Sequence, residues 1–399
     1  MTKKISAVIP AYSGINITNN SVIALCQQWI PNDTFELEII IVNDNVSHPD
    51  QYDYYLSDEF KKIIKPNINI RIIKNTKNVG QGESRNIGIK AASSNWVLLC
   101  DEDDSYAVNA VYRFWETLEK ENNNGEEKLP ISVIAAPLYG FDKNEYRQLI
   151  PANSIWVNSK LYNRDFLEKY NIWFPTGYNS HRAEDYPFIR CLDYAVAHSK
   201  DYKRVDFVDE VDTFYWWIPN YNSRSRCDEH YGSLLAGYTM KSSCIIFNYF
   251  DEFNKNNNIV AEEDEYMKHE ILNMTAYSFY NYLWFLKDLA QGWEDCKEEY
   301  WTVLREGMNE LLEKLRVYWD EIVPSDVYDM LYKVKNQSDI RFVESWIGSF
   351  ENFVNNGHFT LDYNFDQIKE YCSTLEFDNC LHEVNAPYVK AWNKRHEIE

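Results

Sequence analysis

Residues 96–106 read Trp-Val-Leu-Leu-Cys-Asp-Glu-Asp-Asp-Ser-Tyr, and this stretch decides the fold of the chain. Its first five residues form an apolar run that is typical of a strand buried on both faces of a parallel sheet. The four acidic residues that follow would crowd carboxylates at the end of the strand, where repulsion raises their pKa values. Mg²⁺ or Mn²⁺ would relieve this repulsion, because both ions prefer carboxylate oxygens. The alternative is a solvated acidic turn.

Three earlier apolar segments have the same strand-like character, and helical patterns separate them. The predicted strands are Ile5–Ile9, Leu37–Val42 and Ile68–Ile73. The first predicted helix begins at Asn19 or Ser21 and stops at Pro31. A helix-compatible stretch covers Tyr52–Ile64, and a further helix opens in Gly80–Asn86 and reaches Ala92. This alternation predicts βαβ units, a parallel sheet and right-handed crossovers.

Ligands of such sheets lie beyond the carboxyl ends of the strands. The chemically informative residues of this chain gather at those ends, namely Pro10, Tyr12, Asp44, Gly80–Asn86 and Asp101–Asp104. Their position favours a functional role for the acidic cluster over a solvated turn.

The bulk composition restricts the class of protein. The chain has 399 residues, with 40 Lys and Arg against 62 Asp and Glu, for a formal net charge of -22. This charge argues against broad, sequence-independent nucleic-acid binding, although a local basic groove stays open. Neither a signal-peptide pattern nor a membrane-spanning apolar run is evident, which predicts a cytoplasmic protein. The 8 Cys are scattered singly, which favours free thiols over disulfides or a zinc site.

Four segments together resemble the nucleotide-sugar half of family 2 glycosyltransferases of the GT-A fold. They are Ile-Ser-Ala-Val-Ile-Pro-Ala-Tyr at 5–12, Ile-Ile-Ile-Val-Asn-Asp at 39–44, Asn78-Val79-Gly80 with Ser84–Gly88, and Leu98–Asp104. The resemblance covers roughly residues 4–225 and implies a sugar nucleotide, with a UDP-sugar favoured, held by Mn²⁺ or Mg²⁺.

The resemblance also implies roles for single residues. Asp44 would contact the base, Arg85 would lie near the nucleotide, and Asp101 with Asp103 would form the Asp-x-Asp motif that binds the metal and the ribose-diphosphate. Pro10, Tyr12 and Gly80 would complete the nucleotide-sugar site. A bridging cation suits this chemistry because a diphosphate leaving group develops negative charge. Glu102 is expected to point away from its neighbours, and Asp104 to reach the site or cap a helix near Ser105.

A second constellation is Glu184-Asp185. In inverting relatives an acidic pair that opens a helix at this distance supplies the base that deprotonates the acceptor hydroxyl, which would be Asp185, with Glu184 as a helper. The alternatives are a carboxylate that merely favours the helix dipole, or His181 as a rival base.

Residues 213–226 depart from the family pattern. Many relatives have a Tyr-Arg-x-His-x-x-Ser-x-Ser segment here, and Asn220 occupies the position of the His that completes the metal site. Arg224 and Arg226 remain candidates for the diphosphate charge. The Gln-x-x-Arg-Trp signature of processive relatives is missing from the sequence, which favours transfer of a single sugar.

Beyond residue 230 the pattern changes to helical periodicity with Tyr, Trp and Leu at three- and four-residue spacings. We therefore predict two domains, a GT-A domain over 1–230 and a mostly helical region over 231–399 for acceptor binding or for pairing of subunits. Asn254–Asn258 is the expected exposed loop.

The resemblance implies a metal-dependent, inverting glycosyltransferase. The acceptor that the family suggests is a bacterial surface glycan, a lipid-linked intermediate or a teichoic-acid-like polymer. A phage enzyme that glycosylates a hydroxylated DNA base is an alternative, which the acidic charge disfavours. A nucleotidyltransferase should carry a Gly-rich, Lys-containing loop after the first strand, where this chain has Pro10–Gly14. A binding module without turnover is a further alternative, as is retaining chemistry on the same fold.

Overall fold

The structure, a computed structural model, describes most of the first half of the chain and part of the second. The described residues are 3–31, 34–123, 129–141, 147–152, 154, 156–177, 183–207, 214–218, 231–260 and scattered residues between 264 and 314. The chain divides into two compact units, Met1–Tyr221 and Asn222–Glu399.

The first unit alternates strands and helices. Its strands are β1 (Lys4–Ala11), β2 (Glu36–Asn43), β3 (Ile68–Lys74), β4 (Trp96–Leu99), β5 (Ser105–Tyr106), β6 (Ile131–Ala135), β7 (Leu138–Phe141), β8 (Arg147–Ile150), β9 (Lys160–Asn163), β10 (Lys203–Asp206) and β11 (Tyr215–Trp216). Its helices are α1 (Ile15–Cys26), α2 (Asp58–Lys61), α3 (Gln81–Ala91), α4 (Ala110–Asn123), α5 (Arg164–Lys169) and α6 (Asp185–His198), with a 3-10 turn at Asp53–Leu56.

A seven-stranded sheet in the order β10-β6-β9-β4-β1-β2-β3 forms the centre of this unit. Neighbouring strands pair in parallel except β9, which runs antiparallel to both β4 and β6. The apolar runs of β1, β2 and β4 are almost wholly buried, as expected for strands covered on both faces. The predicted mixed α/β architecture with a mostly parallel sheet is confirmed.

The second, smaller sheet has the order β5-β11-β7-β8. Its strand β11 comes from the chain that follows α6, and it pairs antiparallel with β5, directly after the acidic cluster. The smaller sheet therefore brings residues 214–218 next to the end of β4.

Two predicted helix boundaries are wrong. Helix α1 begins at Ile15, four residues before Asn19, and ends at Cys26, well before Pro31. The helix starts early because Gly14 adopts a φ of 99°, a left-handed conformation that favours glycine, and turns the chain directly out of β1. The segment at 160–167 is a strand up to Asn163 and a helix from Arg164.

The expected loop at Asn254–Asn258 is also wrong, since residues up to Asn257 belong to helix α7 (Tyr231–Asn257) in the second unit. Asn254 is buried and its side chain lies against Met267. The other predicted C-terminal helices lie largely outside the described residues. No helix in the described part of the chain is long and apolar enough to cross a membrane.

The cysteines that the structure describes are free thiols, as the sequence predicted. Cys26, Cys100, Cys191 and Cys244 are buried free thiols. Burial raises the pKa of Cys26 to about 12, so this thiol is protonated and inert at neutral pH.

Candidate active site

Arg85 joins three acidic side chains at the carboxyl ends of the strands. Its guanidinium donates to Asp101 Oδ1 at 2.7 Å, to Glu184 Oε1 at 3.0 Å and to Asp185 Oδ1 at 2.8 Å. Only 1% of the Arg85 side chain is exposed, and its guanidinium lies 5.1 Å from the centre of the Phe174 ring. Asp101 and the acidic pair of α6 therefore meet through the buried guanidinium of Arg85.

The acidic pair lies at the start of α6, as the sequence predicted. Glu184 precedes the helix and Asp185 is its first residue, while Ala183 just before them adopts a φ of 54°. A positive φ is uncommon for a residue with a side chain, and such strain often occurs at functional sites. This turn directs both carboxylates towards Arg85.

The surroundings of the pair alter its acidity. Loss of hydration raises the pKa of Asp185 to about 7; Arg85 opposes this rise, and the Glu184 carboxylate adds to it. Burial also raises the pKa of Glu184 against the attraction of Arg85. A carboxylate whose pKa lies near neutrality is suited to accept a proton at physiological pH.

Asp101 is held by neutral amides as well as by Arg85. Gln81 Nε2 donates to its Oδ1 at 3.1 Å, and Asn158 Nδ2 donates to its Oδ2 at 2.9 Å. The Asp101 backbone N–H donates to the Tyr215 hydroxyl at 3.1 Å. The carboxylate that ends β4 is thus fixed from several directions.

Asp104, the last acidic residue after β4, serves the framework. Asp104 is fully buried; it accepts hydrogen bonds from the Tyr215 hydroxyl at 2.8 Å and from the Ile218 backbone N–H at 2.8 Å. Asp104 does not cap a helix, because β5 follows it, and burial raises its pKa well above the usual range. It secures residues 214–218 beside the site.

Glu102 contacts the loop that follows β1. Its carboxylate accepts hydrogen bonds from the backbone N–H groups of Tyr12 and Ser13 and from the Ser13 hydroxyl. It thereby holds the loop that follows β1 close to the end of β4.

Asp44 holds the loop that opens α3. Its oxygens accept from the backbone N–H groups of Val79 at 2.9 Å and Gly80 at 2.8 Å, and from Asn75 Nδ2 at 2.8 Å. Gly80 has a φ of 85°, which turns the chain into the helix. Both oxygens of Asp44 are therefore engaged within the protein, and contact with a base stays a prediction.

Tyr12 and Pro10 lie at the end of β1 in different surroundings. Pro10 is buried, whereas 53% of Tyr12 is exposed on a backbone that Glu102 fixes. An exposed ring on a fixed backbone offers a flat surface for stacking.

The fit of a divalent cation depends on Asp101 and Asp103. The described residues contain no group of three His, Cys, Asp or Glu side chains that could hold a metal ion. Two carboxylates still suit Mg²⁺ or Mn²⁺ when substrate phosphates supply the remaining oxygens. Asn220, Arg224, Arg226 and His181 lie outside the described residues.

Sequence reasoning missed two residues of this site. Asn158 and Tyr215 contact Asp101 from segments 57 and 114 residues away. No local pattern marks them, because their position depends on the pairing of β9 with β4 and of β11 with β5.

Comparison with known proteins finds glycosyltransferases among the relatives of this chain. The sequence profile described as Glycosyl transferase family 2 matches residues 6–182. The chain is 30% identical over 193 residues to a poly(ribitol-phosphate) beta-glucosyltransferase of Bacillus spizizenii, which covers 46% of this chain and 28% of that protein. It is 25% identical over 238 residues to an uncharacterized glycosyltransferase of Haemophilus influenzae, which covers 59% of this chain and 65% of that protein.

Among solved structures, S. aureus TarS 1-349 in complex with UDP-GlcNAc has a similar fold, with a TM-score of 0.53 and 15% identity. The match covers 78% of this chain and 81% of that chain. The chain spans less than two thirds of the curated relatives described above, 28% of one and 65% of the other. The chain is therefore similar to glycosyl transferase family 2 over residues 6–182, the segment that carries Arg85 and Asp101, whereas Glu184 and Asp185 lie just beyond it.

Proposed function

We propose that this protein is a glycosyltransferase that moves one sugar from a UDP-sugar to a hydroxyl group of a surface polymer. The observation that carries the proposal is the junction at Arg85, which holds Asp101 of the sugar-nucleotide side and Asp185 of the acceptor side in one cluster. A transferase must hold the acceptor oxygen and the reacting carbon of the sugar about 3–3.5 Å apart, and a cluster that joins both sides of the site supports such positioning.

Asp185 is the proposed general base. It would take the proton of the acceptor hydroxyl as that oxygen attacks the anomeric carbon and UDP leaves from the opposite face. Its pKa of about 7 supports this role, because the carboxylate is then both ionised in part and basic enough at neutral pH. Direct displacement of this kind inverts the anomeric configuration.

Asp101 and Asp103 would hold Mn²⁺ or Mg²⁺ together with the diphosphate. When bound, such an ion stabilises the negative charge of the leaving group without a proton. The exposed Tyr12 ring would stack on the uracil, and Asp44 with Gly80 would shape the loop that surrounds the nucleotide.

A polymer of ribitol phosphate, or a related polyol phosphate, is the proposed acceptor class. The named activity of the Bacillus spizizenii relative supports this acceptor class. The UDP-GlcNAc complex of a protein with a similar fold supports a UDP-sugar as the donor. UDP-glucose and UDP-GlcNAc are accordingly the first sugar nucleotides to test.

Binding should be tested first, by thermal shift and calorimetry with UDP-, GDP-, CDP- and TDP-sugars, with and without Mn²⁺. Ligand binding to the native state raises its melting temperature by mass action. We expect a shift with UDP-sugars that needs the metal and is lost in Asp103→Ala. A folded protein that shows no shift with any sugar nucleotide would refute the proposal.

Transfer should then be tested on poly(ribitol phosphate), with NMR of the product to read the anomeric configuration. Retention of configuration would exclude the role proposed for Asp185. Binding without transfer to any polyol phosphate would favour a different acceptor or a binding module.

A further inference from the structure

Lys160 is a fully buried amine outside the cluster around Arg85. It is the first residue of β9, its exposed fraction is 0%, and its Nζ donates to the Trp156 carbonyl at 2.5 Å. It forms no ion pair within the part of the chain that the structure describes. An ammonium without a carboxylate partner is costly to bury, so a lysine at this position calls for an explanation.

The side chain of Lys160 faces helix α6. Alternate residues of a strand lie on the same side of a sheet, so Lys160 shares its side with Tyr162. The Tyr162 ring packs edge-on against the Phe188 ring of α6, with 5.5 Å between the ring centres. Asp185 lies three residues before Phe188 and therefore on the same face of the helix. Lys160 and Asp185 thus both lie in the layer between β9 and α6.

Tyr162 adds no charge to this layer. Its hydroxyl donates to the Val157 carbonyl at 2.7 Å, and burial raises its pKa well above the usual range. The Tyr162 side chain therefore stays neutral and separates the charged groups from water.

The other charges that act on Lys160 are already paired with one another. They are Arg204 and Asp206 of β10 and Asp193 and Asp185 of α6. Arg204 forms ion pairs with Asp193 at 2.8 Å and with Asp206 at 2.7 Å. Loss of hydration and the repulsion of Arg204 lower the pKa of Lys160 to about 7, against the attraction of the three carboxylates.

The same interaction acts on Asp185 from its other side. Arg85 and Lys160 favour the ionised form of Asp185, whereas the Glu184 and Asp101 carboxylates oppose it. Arg85 divides its hydrogen bonds among all three of these carboxylates. A second cation beside Asp185 therefore matters for the charge of the proposed base.

We propose that Lys160 is a positioning residue for the proposed base: its ammonium, enclosed between β9 and α6, holds the Asp185 carboxylate in the ionised form that accepts the proton of the acceptor hydroxyl. This proposal rests on the proposed function, because it takes Asp185 as the base. Since Lys160 is buried, it acts through its charge and not by contact with a ligand. The ammonium form predominates below about pH 7, where Asp185 would otherwise be protonated.

The first test is kcat against pH from 5 to 9 on the full chain, with UDP-glucose and poly(ribitol phosphate), for wild type and Lys160→Met. Methionine replaces the amine with an apolar side chain of similar length. Without the ammonium the pKa of Asp185 rises, so the midpoint of the rising limb should move up by about one pH unit. We therefore expect kcat to fall about tenfold at pH 6 and less than twofold at pH 9.

The matched control is Lys169→Met at the end of α5. The Lys169 side chain is 43% exposed and pairs with Asp201. This variant should keep the wild-type pH profile, because an exposed charge is screened by water.

The second test reads the interaction without turnover. Two charges shift one another's pKa by the same free energy, so Asp185→Asn should lower the pKa of Lys160 by about one unit. NMR of the full chain with isotope-labelled lysine side chains measures this shift. We expect one lysine signal that titrates near neutrality in wild type, at lower pH in Asp185→Asn, and that is missing in Lys160→Met.

The inference is overturned by an unshifted pH profile of Lys160→Met, by an equal loss of kcat at every pH, or by the same Lys160 pKa in wild type and Asp185→Asn. If Lys160→Met does not fold, the lysine spectra of the other two proteins decide, and a wild type in which no lysine titrates near neutrality refutes the inference. A wild type without transfer at any pH refutes the proposed function, whereas the lysine spectra still test whether the two groups interact.

Discussion

Arg85 contacts two carboxylates that lie 99 and 100 residues further along the sequence, and a third that lies 16 residues away. A planar guanidinium can serve several acceptors at fixed angles, whereas the ammonium of Lys is a single point charge. The geometry of the site therefore depends on this side chain as much as on the acids themselves.

We expect Arg85→Lys to lower kcat/KM by about a hundredfold, since the charge is kept but the three contacts cannot all be made. Steady-state kinetics with UDP-glucose would measure this loss. The matched control is Arg71→Lys. The Arg71 side chain is 48% exposed, and in the described part of the chain Glu38 is the carboxylate with which it forms an ion pair. Equal kcat/KM of Arg85→Lys and wild type would contradict the positioning role.

The base assignment predicts a pH dependence. Activity should rise with pH through about 7, because Asp185 accepts a proton only when it is ionised and its folded pKa lies near that value. We expect Asp185→Asn to lower kcat at least a thousandfold while UDP affinity changes less than threefold. The measurement is kcat against pH from 5 to 9; a flat profile between 6 and 8 would contradict the assignment.

The structure brings together four site residues that the sequence predicted, Arg85, Asp101, Glu184 and Asp185. They could be predicted because each lies at the end of a strand or the start of a helix, which a local pattern reveals. Asn158 could not, because its contact with Asp101 depends on β9, a strand whose pairing no local pattern encodes. The roles of all these residues stay predictions.

Two glycines of helix α3 allow the helix to pack closely against two different parts of the molecule. A Cβ at Gly82 would lie 3.1 Å from Glu184 Cβ and 3.2 Å from the Pro175 carbonyl oxygen. A Cβ at Gly88 would lie 2.2 Å from Val8 Cγ1 in β1. The first glycine faces the acidic pair, and the second faces the core.

The same substitution at these two positions should therefore have different effects. Gly82→Ala should lower kcat about tenfold by displacing Glu184, without loss of stability, since Ala favours the helix by about 1 kcal/mol. Gly88→Ala should lower the free energy of unfolding by about 1–3 kcal/mol through overpacking. Urea denaturation and kcat of both variants test this, and a Gly82→Ala protein with full activity would contradict it.

Glu38 ties three elements together. It is 2% exposed and accepts hydrogen bonds from Ser6 in β1, Arg71 in β3 and Ser93 after α3. Burial alone would raise its pKa, but these hydrogen bonds outweigh burial and lower the pKa to about 2.

A lowered folded pKa stabilises the protein above the unfolded value of 4.5, and this contribution is lost as pH falls towards 2. We expect Glu38→Gln to lower the free energy of unfolding by about 2 kcal/mol at pH 7. The difference from wild type should shrink between pH 4.5 and 3. Glu36→Gln on the same strand, with a side chain 50% exposed, is the control and should change little at either pH.

At the level of elements, the apolar strands and the helix opened by Gly80 were predicted well, because burial on both faces and a left-handed glycine leave clear signals. The short strands β5, β7, β8 and β11 were not predicted. Two of them contain only two residues, which is too few for any periodicity.

The molecule as a whole is strongly acidic, with a formal net charge of -22, and three carboxylates of its candidate site surround Arg85. A free sugar nucleotide is also an anion, so both charges oppose its binding until a divalent cation neutralises the diphosphate.

Salt should therefore act differently with and without metal. We expect the affinity for UDP-glucose without metal to increase several-fold between 20 and 300 mM NaCl, because salt screens the repulsion. In saturating Mn²⁺ the affinity should change less than twofold. Calorimetry at the two salt concentrations measures both, and weaker metal-free binding at high salt would reveal a local basic surface that outweighs the net charge.

The place of β9 in the large sheet also matters while the chain is being made. Strand β4 ends at Leu99, but β9, which covers its edge, begins only at Lys160. At about 5–20 residues per second, the ribosome leaves that edge unpaired for roughly 3–12 s. The apolar strand Trp96–Leu99 can meet other nascent chains during this interval. Slow translation between these two points would therefore favour aggregation over folding.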